Sequence, residues 1–303
     1  MDNLISPLIK AQHTVVEEKS LMDDPYAYVT QLDKLTRHEF GYIAQKIEHG
    51  WITQRDIEIV KFVFVHRWMT LSQIEKLFFQ DSNRKETTRK RVQRLLKYGL
   101  LRKIQWSSYS RPEQNKPSFY ELGASGADIL KYQFGMQLGH RDPRNPKPAS
   151  MLYRMKYIAT NELYCQLKTN FDMVHFEFHP TLTSKDKQEQ QVPMAKYSLK
   201  TPNGRNQLFY LICHREDEKW IKTIRYQASF FKSLITTQET GAVLVCLVSS
   251  DEKALLASKI MEQEGASQFT WYVMDTDLYN DSKPLRQSFF TYKDGKKFYY
   301  DLQ

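Results

Sequence analysis

Between Thr53 and Leu122 the chain carries its densest run of start and stop signals, and they leave little choice of local fold. Thr53 with Asp56, and Thr70 with Gln73, are spaced so that the first side chain meets the N–H three residues on while the later side chain reaches back. Each pair predicts a helix. The first helix carries Ile57, Val60 and Phe64, and the second Leu71, Ile74, Leu77 and Phe78. Ser82 or Asn83 caps a third, Glu86 lies near its positive end, and Gly99 closes it. A strand from Leu101 to Trp106, the polar loop SSYSRPEQNKP and a second strand from Ser118 to Leu122 follow. Three helices and a strand–loop–strand ribbon in this order predict a winged helix-turn-helix over residues 51–134.

Charge then separates this unit from the rest. From Arg84 to Lys116 there are eleven Lys and Arg against two Glu, an excess of nine that equals the net charge of the whole chain. Positive charge gathered on one helix and the loop after it is the footprint expected for a phosphate backbone. On a helical wheel Thr88, Val92, Leu95 and Leu96 share the side that faces a core. Thr87, Lys90, Arg94 and Lys97 lie opposite, flanked by Arg91 and Gln93. Arg or Lys reaches guanine and Gln pairs with adenine in a major groove. Thr87, Lys90, Arg91 and Arg94 are therefore expected at the bases, with Arg84, Lys85 and Gln93 on the same helix. Lys97, Arg102 and Lys103 are expected at phosphates. In the loop, Arg111 and Lys116 are placed for an adjacent groove or backbone, and Tyr109 for stacking or sugar contact.

At about 150 residues per domain, 303 residues suggest two domains. Residues 1–50 read as a helical extension, with a start at Asp23-Asp24-Pro25 and Tyr28, Leu32, Leu35, Ile43 and Ile47 at helical intervals. Pro143, Pro146 and Pro148 mark residues 135–150 as a linker. Residues 151–303 read as an α/β domain. It opens with a helix at 152–167, then strands at 173–179, 192–199 and 207–214, the last two joined by a turn at Thr201-Pro-Asn-Gly204. A helix at 216–235 precedes the apolar run GAVLVCLV, which suits a strand covered on both faces. A helix at 251–264, a strand at 269–274 and an aromatic hairpin about Asp294-Gly295 complete it. The fold class is thus multi-domain α+β.

The α-β-β-β-α-β order is also that of a restriction-endonuclease-like core, which holds Mg²⁺ with acids on its strands. Here Pro193-Met194 and the apolar Phe209–His214 stand where those acids belong, so the core reads as degenerate. Asp217-Glu218-Lys219 has the acid–x–lysine pattern but opens a helix, where acids are ordinary caps. His175, Glu177 and His179 alternate along a strand and with His214 form a possible metal set; a polar edge-strand face explains them more simply. No metal and no cofactor is expected. Cys165, Cys213 and Cys246 are scattered, as suits reduced core thiols in a cytoplasm. No apolar stretch approaches the ~20 residues of a membrane span, nor is there one of signal-peptide type.

The stretches TQRDIEIVKFVFVHRWMTLSQIEKLFF, RKRVQRLLKYGLLRK and SFYELGASGADIL resemble the replication-relaxation family of plasmid-borne proteins from Gram-positive bacteria. The resemblance covers residues 50–135 well and the remainder loosely. It implies a winged helix joined to a nuclease-like domain and a part in plasmid replication, relaxation or mobilisation. Family members often carry a Pro-Asp and a strand with Glu and Asp. This chain has Pro193-Met194 and Ile212-Cys213-His214 there, which favours binding over cleavage. The expectation is a non-enzymatic, sequence-specific duplex-DNA-binding protein, cytoplasmic and associated with nucleoid or plasmid, acting in replication, mobilisation or transcriptional control. Its expected partners are double-stranded DNA, a second copy of itself, or replication and transfer proteins. The rival readings are a Mg²⁺-dependent nuclease or nickase and a winged-helix protein-docking adaptor.

Overall fold

The computed structural model describes residues 20–80, 85–184, 189–215, 219–279, 283–293, 295–300 and 302. Its first element is a strand. β1, Ala27–Leu32, pairs antiparallel with the strand of residues 101–108. This corrects the reading of residues 1–50 as helical. Asp24 accepts the Tyr26 N–H in a turn rather than capping a helix, and the alternating residues Ala-Tyr-Val-Thr-Gln-Leu fit a pleated edge. Within that region α1, Phe40–Glu48, is helical, while residues 1–19 lie outside the described residues.

α2 (Gln54–His66), β2 (Met69–Thr70) and α3 (Leu71–Phe78) follow. Both capping boxes form: the Thr53 N–H donates to Asp56 Oδ2 at 2.7 Å, and the Thr70 N–H to Gln73 Oε1 at 3.1 Å. Next come the basic α4 (Lys85–Lys97), β3 (Leu101–Ser108), β4 (Phe119–Leu122) and α5 (Ala124–Tyr132). The four strands order as β1-β3-β4-β2. Gly99, which ends α4, has φ +65°, and a Cβ there would lie 2.3 Å from the Thr36 carbonyl oxygen. Only glycine lets the chain leave the helix and turn straight into β3.

Residues 135–150 are tied down along their length. Arg141 donates to the Phe64 and Val65 carbonyls at the end of α2, and Arg144 pairs with both Asp128 and Asp142. α6, Met151–Asn170, then starts from a Ser150 cap. β5 (Met173–Phe178), the small hairpin β6 (Leu182–Thr183) and β7 (Gln190–Gln191), β8 (Ala195–Lys200) and β9 (Asn206–Cys213) lead to α7 (Trp220–Thr237). β10 (Val243–Val248), α8 (Asp251–Gln263), β11 (Thr270–Met274) and the short α9 (Asp275–Leu278) come next. β12 (Phe290–Lys293) and β13 (Lys296–Tyr299) close the chain. The expected α-β-β-β-α-β-α-β order is present, with the β6–β7 hairpin added. β8 begins three residues later than expected, after Pro193, which has no N–H to give a ladder.

Seven strands form one sheet, β13-β12-β11-β10-β9-β8-β5, with β9, β10 and β11 parallel. Alternation assigns its two faces. Phe209, Leu211, Val245 and Leu247 face α6, whereas Tyr210, Ile212, Leu244 and Cys246 face α7 and α8. The α6-side core also takes in Met22, Trp68, Ile104, Trp106 and Phe119 from the first half of the chain. A separate core fills the first half, from Ile57, Val60, Val92, Leu95 and Leu101.

Buried histidines make this fold acid-sensitive. Burial drives His66 down to about 3, against the pull of its Asn161 hydrogen bond. Burial, and then the charges of Lys156, Arg215 and Lys253, drive His214 to about 3. Both folded values lie below the unfolded ~6.5, so the unfolded chain takes up protons first as pH falls. Stability is then full above pH ~6.5 and declines from there towards pH 3, by up to ~1.4 kcal/mol per histidine per pH unit. Urea unfolding at pH 7.5 and 5.5 measures the decline, and His214→Leu is expected to remove about half of what this pair contributes.

Candidate nucleic-acid interface

α4 is two-faced as its sequence requires. Thr88, Val92 and Leu95 are buried, and Leu96 packs beside them. Thr87, Arg89, Lys90, Gln93, Arg94 and Lys97 are exposed. Its C-terminal carbonyl at Lys97 is met by His38 Nε2 at 3.0 Å, and the His38 N–H donates to Ser125 Oγ at 3.0 Å. The helix is thus held at its exit by a histidine that is itself anchored to α5, leaving one outward row of cations.

Two of the expected contacts are spent inside the molecule. Arg91 clasps Asp56, donating from Nε to Oδ1 at 2.7 Å and from its terminal nitrogen to Oδ2, with further bonds to the Trp51 carbonyl and Thr53 Oγ1. Asp56 is fully buried, so its charge requires that partner. Arg102 likewise pairs with Glu121, the residue opposite it in the β3–β4 ladder. Both arginines were expected at DNA; both act instead as struts, because an acid from a neighbouring element lies within reach. Lys103 is half-buried on β3. In the loop, Lys116 donates to the Arg111 carbonyl, and both side chains are half-buried. Tyr109 is 75% exposed and stacks on Tyr28 of β1 at 4.3 Å. Arg84, and the side chain of Lys85, lie outside the described residues.

Two surface grooves run along α4. One is lined by Gly50, Trp51, Gln93, Arg94, Lys97 and Tyr98. The other is lined by Thr53, Gln54, Arg55, Phe79, Thr87, Lys90, Arg91 and Arg94. Arg94 borders both. The N-terminal end of α2 therefore joins the interface through Gln54, Arg55 and the exposed Trp51, over whose ring Lys46 sits at 4.5 Å. Sequence reasoning missed these residues, since they lie 30 to 50 positions away on another element. The exposed Arg89 carries a signal of its own in the sequence, its place in the cationic run.

The alternative chemical sites are less well assembled. Asp217 and Glu218 lie outside the described residues. His175 and Glu177 are solvent-facing on the edge strand β5 and 3.9 Å apart, whereas His179 lies beyond its end at φ +51° and His214 is buried elsewhere. Among the described residues, no three His, Cys, Asp or Glu are grouped to hold a metal ion. The three cysteines are buried, and burial pushes their thiols up, out of the reactive range. Met194, Ile212 and Cys213 are buried in β8–β9 and the residue before β8. At the carboxyl ends of β9 to β11, Arg215 and Asp275 form a buried ion pair at 2.9 Å. Ser20 Oγ donates to that aspartate, while Asp23 takes Ser249 and Lys253. Burial alone would raise the Asp23 carboxyl, but Arg215, Lys253 and Ser249 hold it below the ordinary range.

Residues 61–183 match the replication-relaxation family. The replication-relaxation match opens inside α2, takes in α3, α4, the β3–β4 ribbon and α5, crosses the proline-containing segment and α6, and ends at β6. It therefore contains the cationic face of α4 and leaves out β1 and the parallel strands. No curated protein and no solved structure matches the chain. Among the described residues, no helix is long and apolar enough to cross a membrane.

The two arginines one turn apart on α4 are expected to behave oppositely. Arg91→Ala strands a buried carboxylate and is expected to lower stability by about 3 kcal/mol. Arg94→Ala, on the exposed row, is expected to change it by less than about 0.5 kcal/mol. Urea denaturation of the two variants beside the parent chain tests the contrast.

Proposed function

We propose that residues 51–134 act as a winged helix-turn-helix that binds duplex DNA, and that the chain serves plasmid replication or mobilisation without cutting DNA. The observation that carries this reading is the exposed row Thr87, Lys90, Gln93, Arg94 and Lys97 on a helix whose other side is buried apolar surface. A rod of this kind fits a major groove, with Arg, Lys and Gln as base readers. Tyr109 and Arg111 are carried by the β3–β4 loop as the wing; Lys97 at the end of the row and Arg55 beside it serve as phosphate contacts. The replication-relaxation match supports the plasmid role. A reader of this kind serves transcriptional control equally well, since both tasks need the same site. Residues 151–303 take the part of a scaffold with a restriction-endonuclease-like element order. The buried apolar Met194, Ile212 and Cys213, where strand-borne acids would serve a nuclease, support a role without catalysis.

Gel-shift titration on the DNA flanking its own coding region tests binding. Lys90→Ala with Arg94→Ala is expected to abolish the specific shift with unchanged far-UV circular dichroism. Log K is expected to fall by ~0.9 per log unit of salt for each phosphate neutralised. Normal binding by the double variant would overturn the assignment of α4. Supercoiled plasmid incubated with the chain and Mg²⁺ is expected to stay intact; nicking that Asp217→Ala removes would overturn the non-catalytic reading.

A further inference from the structure

A second concentration of positive charge lies at the other end of α2. Arg67, which follows that helix, has φ +63° and ψ −60°, and the Trp68 N–H donates to the His66 carbonyl at 2.8 Å. This is a γ-turn of the strained hand, rare for any residue with a side chain. The turn throws the Arg67 guanidinium back over three rings: Trp68 at 4.5 Å, and Tyr153 and Tyr157 at 5.6 Å each. Arg154, one position after Tyr153 on α6, reaches the Trp68 ring from its own side at 5.6 Å. His179, which like Arg67 has a positive φ, lies tilted against the Tyr157 ring at 4.8 Å. Two strained backbone positions from separate parts of the chain thus bring cationic or titratable groups to one tyrosine.

The charges gathered there repel one another. Burial first, then Arg141, Lys156 and Arg67, hold His179 down to about 4. Burial also lowers Arg154, with Arg102 and Arg67 adding to it against Glu121. Among the described residues no carboxylate forms an ion pair with Arg67, Arg141, Arg154 or Lys156; the neighbouring Glu121 is engaged by Arg102 and by Trp68 Nε1. Arg154 Nε and His179 Nε2 are buried atoms without a hydrogen-bond partner. Buried polar atoms are nearly always paired, and like charges are not ordinarily gathered in a low-dielectric site without a counter-charge. Yet the cluster is reachable, since Tyr153 is 41% exposed and Arg67 and Lys156 are half-exposed.

We propose that Arg67, Arg154 and His179, gathered about the Trp68 and Tyr157 rings, with Lys156 next to Tyr157 on α6, form a second phosphate-binding site, separate from the cationic face of α4. A phosphate supplies what the cluster lacks: multiple negative oxygens that accept from guanidinium forks and from an ammonium, and whose charge favours protonation of the unpartnered His179 Nε2. The two sites lie at opposite ends of α2, whose 13 residues span about 18 Å. The phosphate belongs either to a nucleic-acid backbone held at a fixed distance from α4 or to a small phosphorylated compound. Both sources offer the same oxygens.

Calorimetric titration of the full chain with pyrophosphate at low ionic strength tests the site. Saturable binding is expected, weakened tenfold or more by Arg154→Gln with His179→Gln, and unchanged by Lys90→Ala with Arg94→Ala. If the first pair impairs folding, as a thermal melt would show, Lys156→Gln carries the test and is expected to weaken binding at least threefold. Absence of saturable binding, or weakening by the α4 pair alone, overturns the proposal. Repeating the titration with a 30-base-pair duplex already bound separates the sources. Loss of the pyrophosphate signal assigns the site to a backbone phosphate; its persistence assigns it to a small ligand. The pyrophosphate arm needs no duplex, so failure of the α4 reading leaves this test intact.

Discussion

One helix holds both halves of this molecule. α6 is buried around most of its circumference, which for a 20-residue helix requires something to cover every side. One side offers Met155, Ile158, Ala159 and Leu163 to an apolar core continuous with the sheet. Asn161 and Glu162 are polar and no more than 1% exposed, and each is answered from the first half. Asn161 Oδ1 meets His66 Nδ1 at 2.9 Å, and its amide donates to the His66 and Trp68 carbonyls. Glu162 takes Gln73 Nε2 and Lys76 Nζ from α3. Buried polar groups tolerate little displacement, because an unmet partner costs about 1–3 kcal/mol. The docking of α2 and α3 on α6 is accordingly specific, and it sets where α4 points.

Gln73 shows how one residue serves two levels of structure. Its carbonyl oxygen closes the capping box that starts α3, and its amide nitrogen donates to the Ile158 carbonyl and to Glu162. The local signal and the long-range contact use opposite ends of one side chain. Asp56 does the same, capping α2 while anchoring Arg91 of α4.

These dual uses mark how far the sequence could be read. Capping boxes, the glycine after α4, the buried stripe Thr88–Val92–Leu95 and the parallel-strand run 243–248 are local signals, and they located the elements that bear them. β1 was misread because its apolar spacing suits helix and strand alike, and pairing with β3 decided the matter. Sequence alone places Arg91 and Arg102 with the DNA-facing cations, because a cation on an exposed-looking face carries no mark of the acid that will meet it from another element. The groove residues Arg55 and Trp51, and the convergence of Arg67, Arg154 and His179, depend on packing between distant segments. No window of sequence contains them.

The N-terminal strap has a consequence for how the molecule is made. Ser20 bonds to Asp275 across 255 residues of chain and Asp23 to Ser249 across 226. A ribosome adds more than 220 residues after Asp23 before either contact exists. Ser20 and Asp23 are therefore made long before their partners, and closure of this segment over the parallel strands waits for them. Closing so large a loop is slow compared with forming a local hairpin. A nascent chain halted before residue 249 would carry Asp23 without the Ser249 hydroxyl and the Lys253 ammonium that receive it, and maturation of the second half is thereby coupled to the segment that precedes β1.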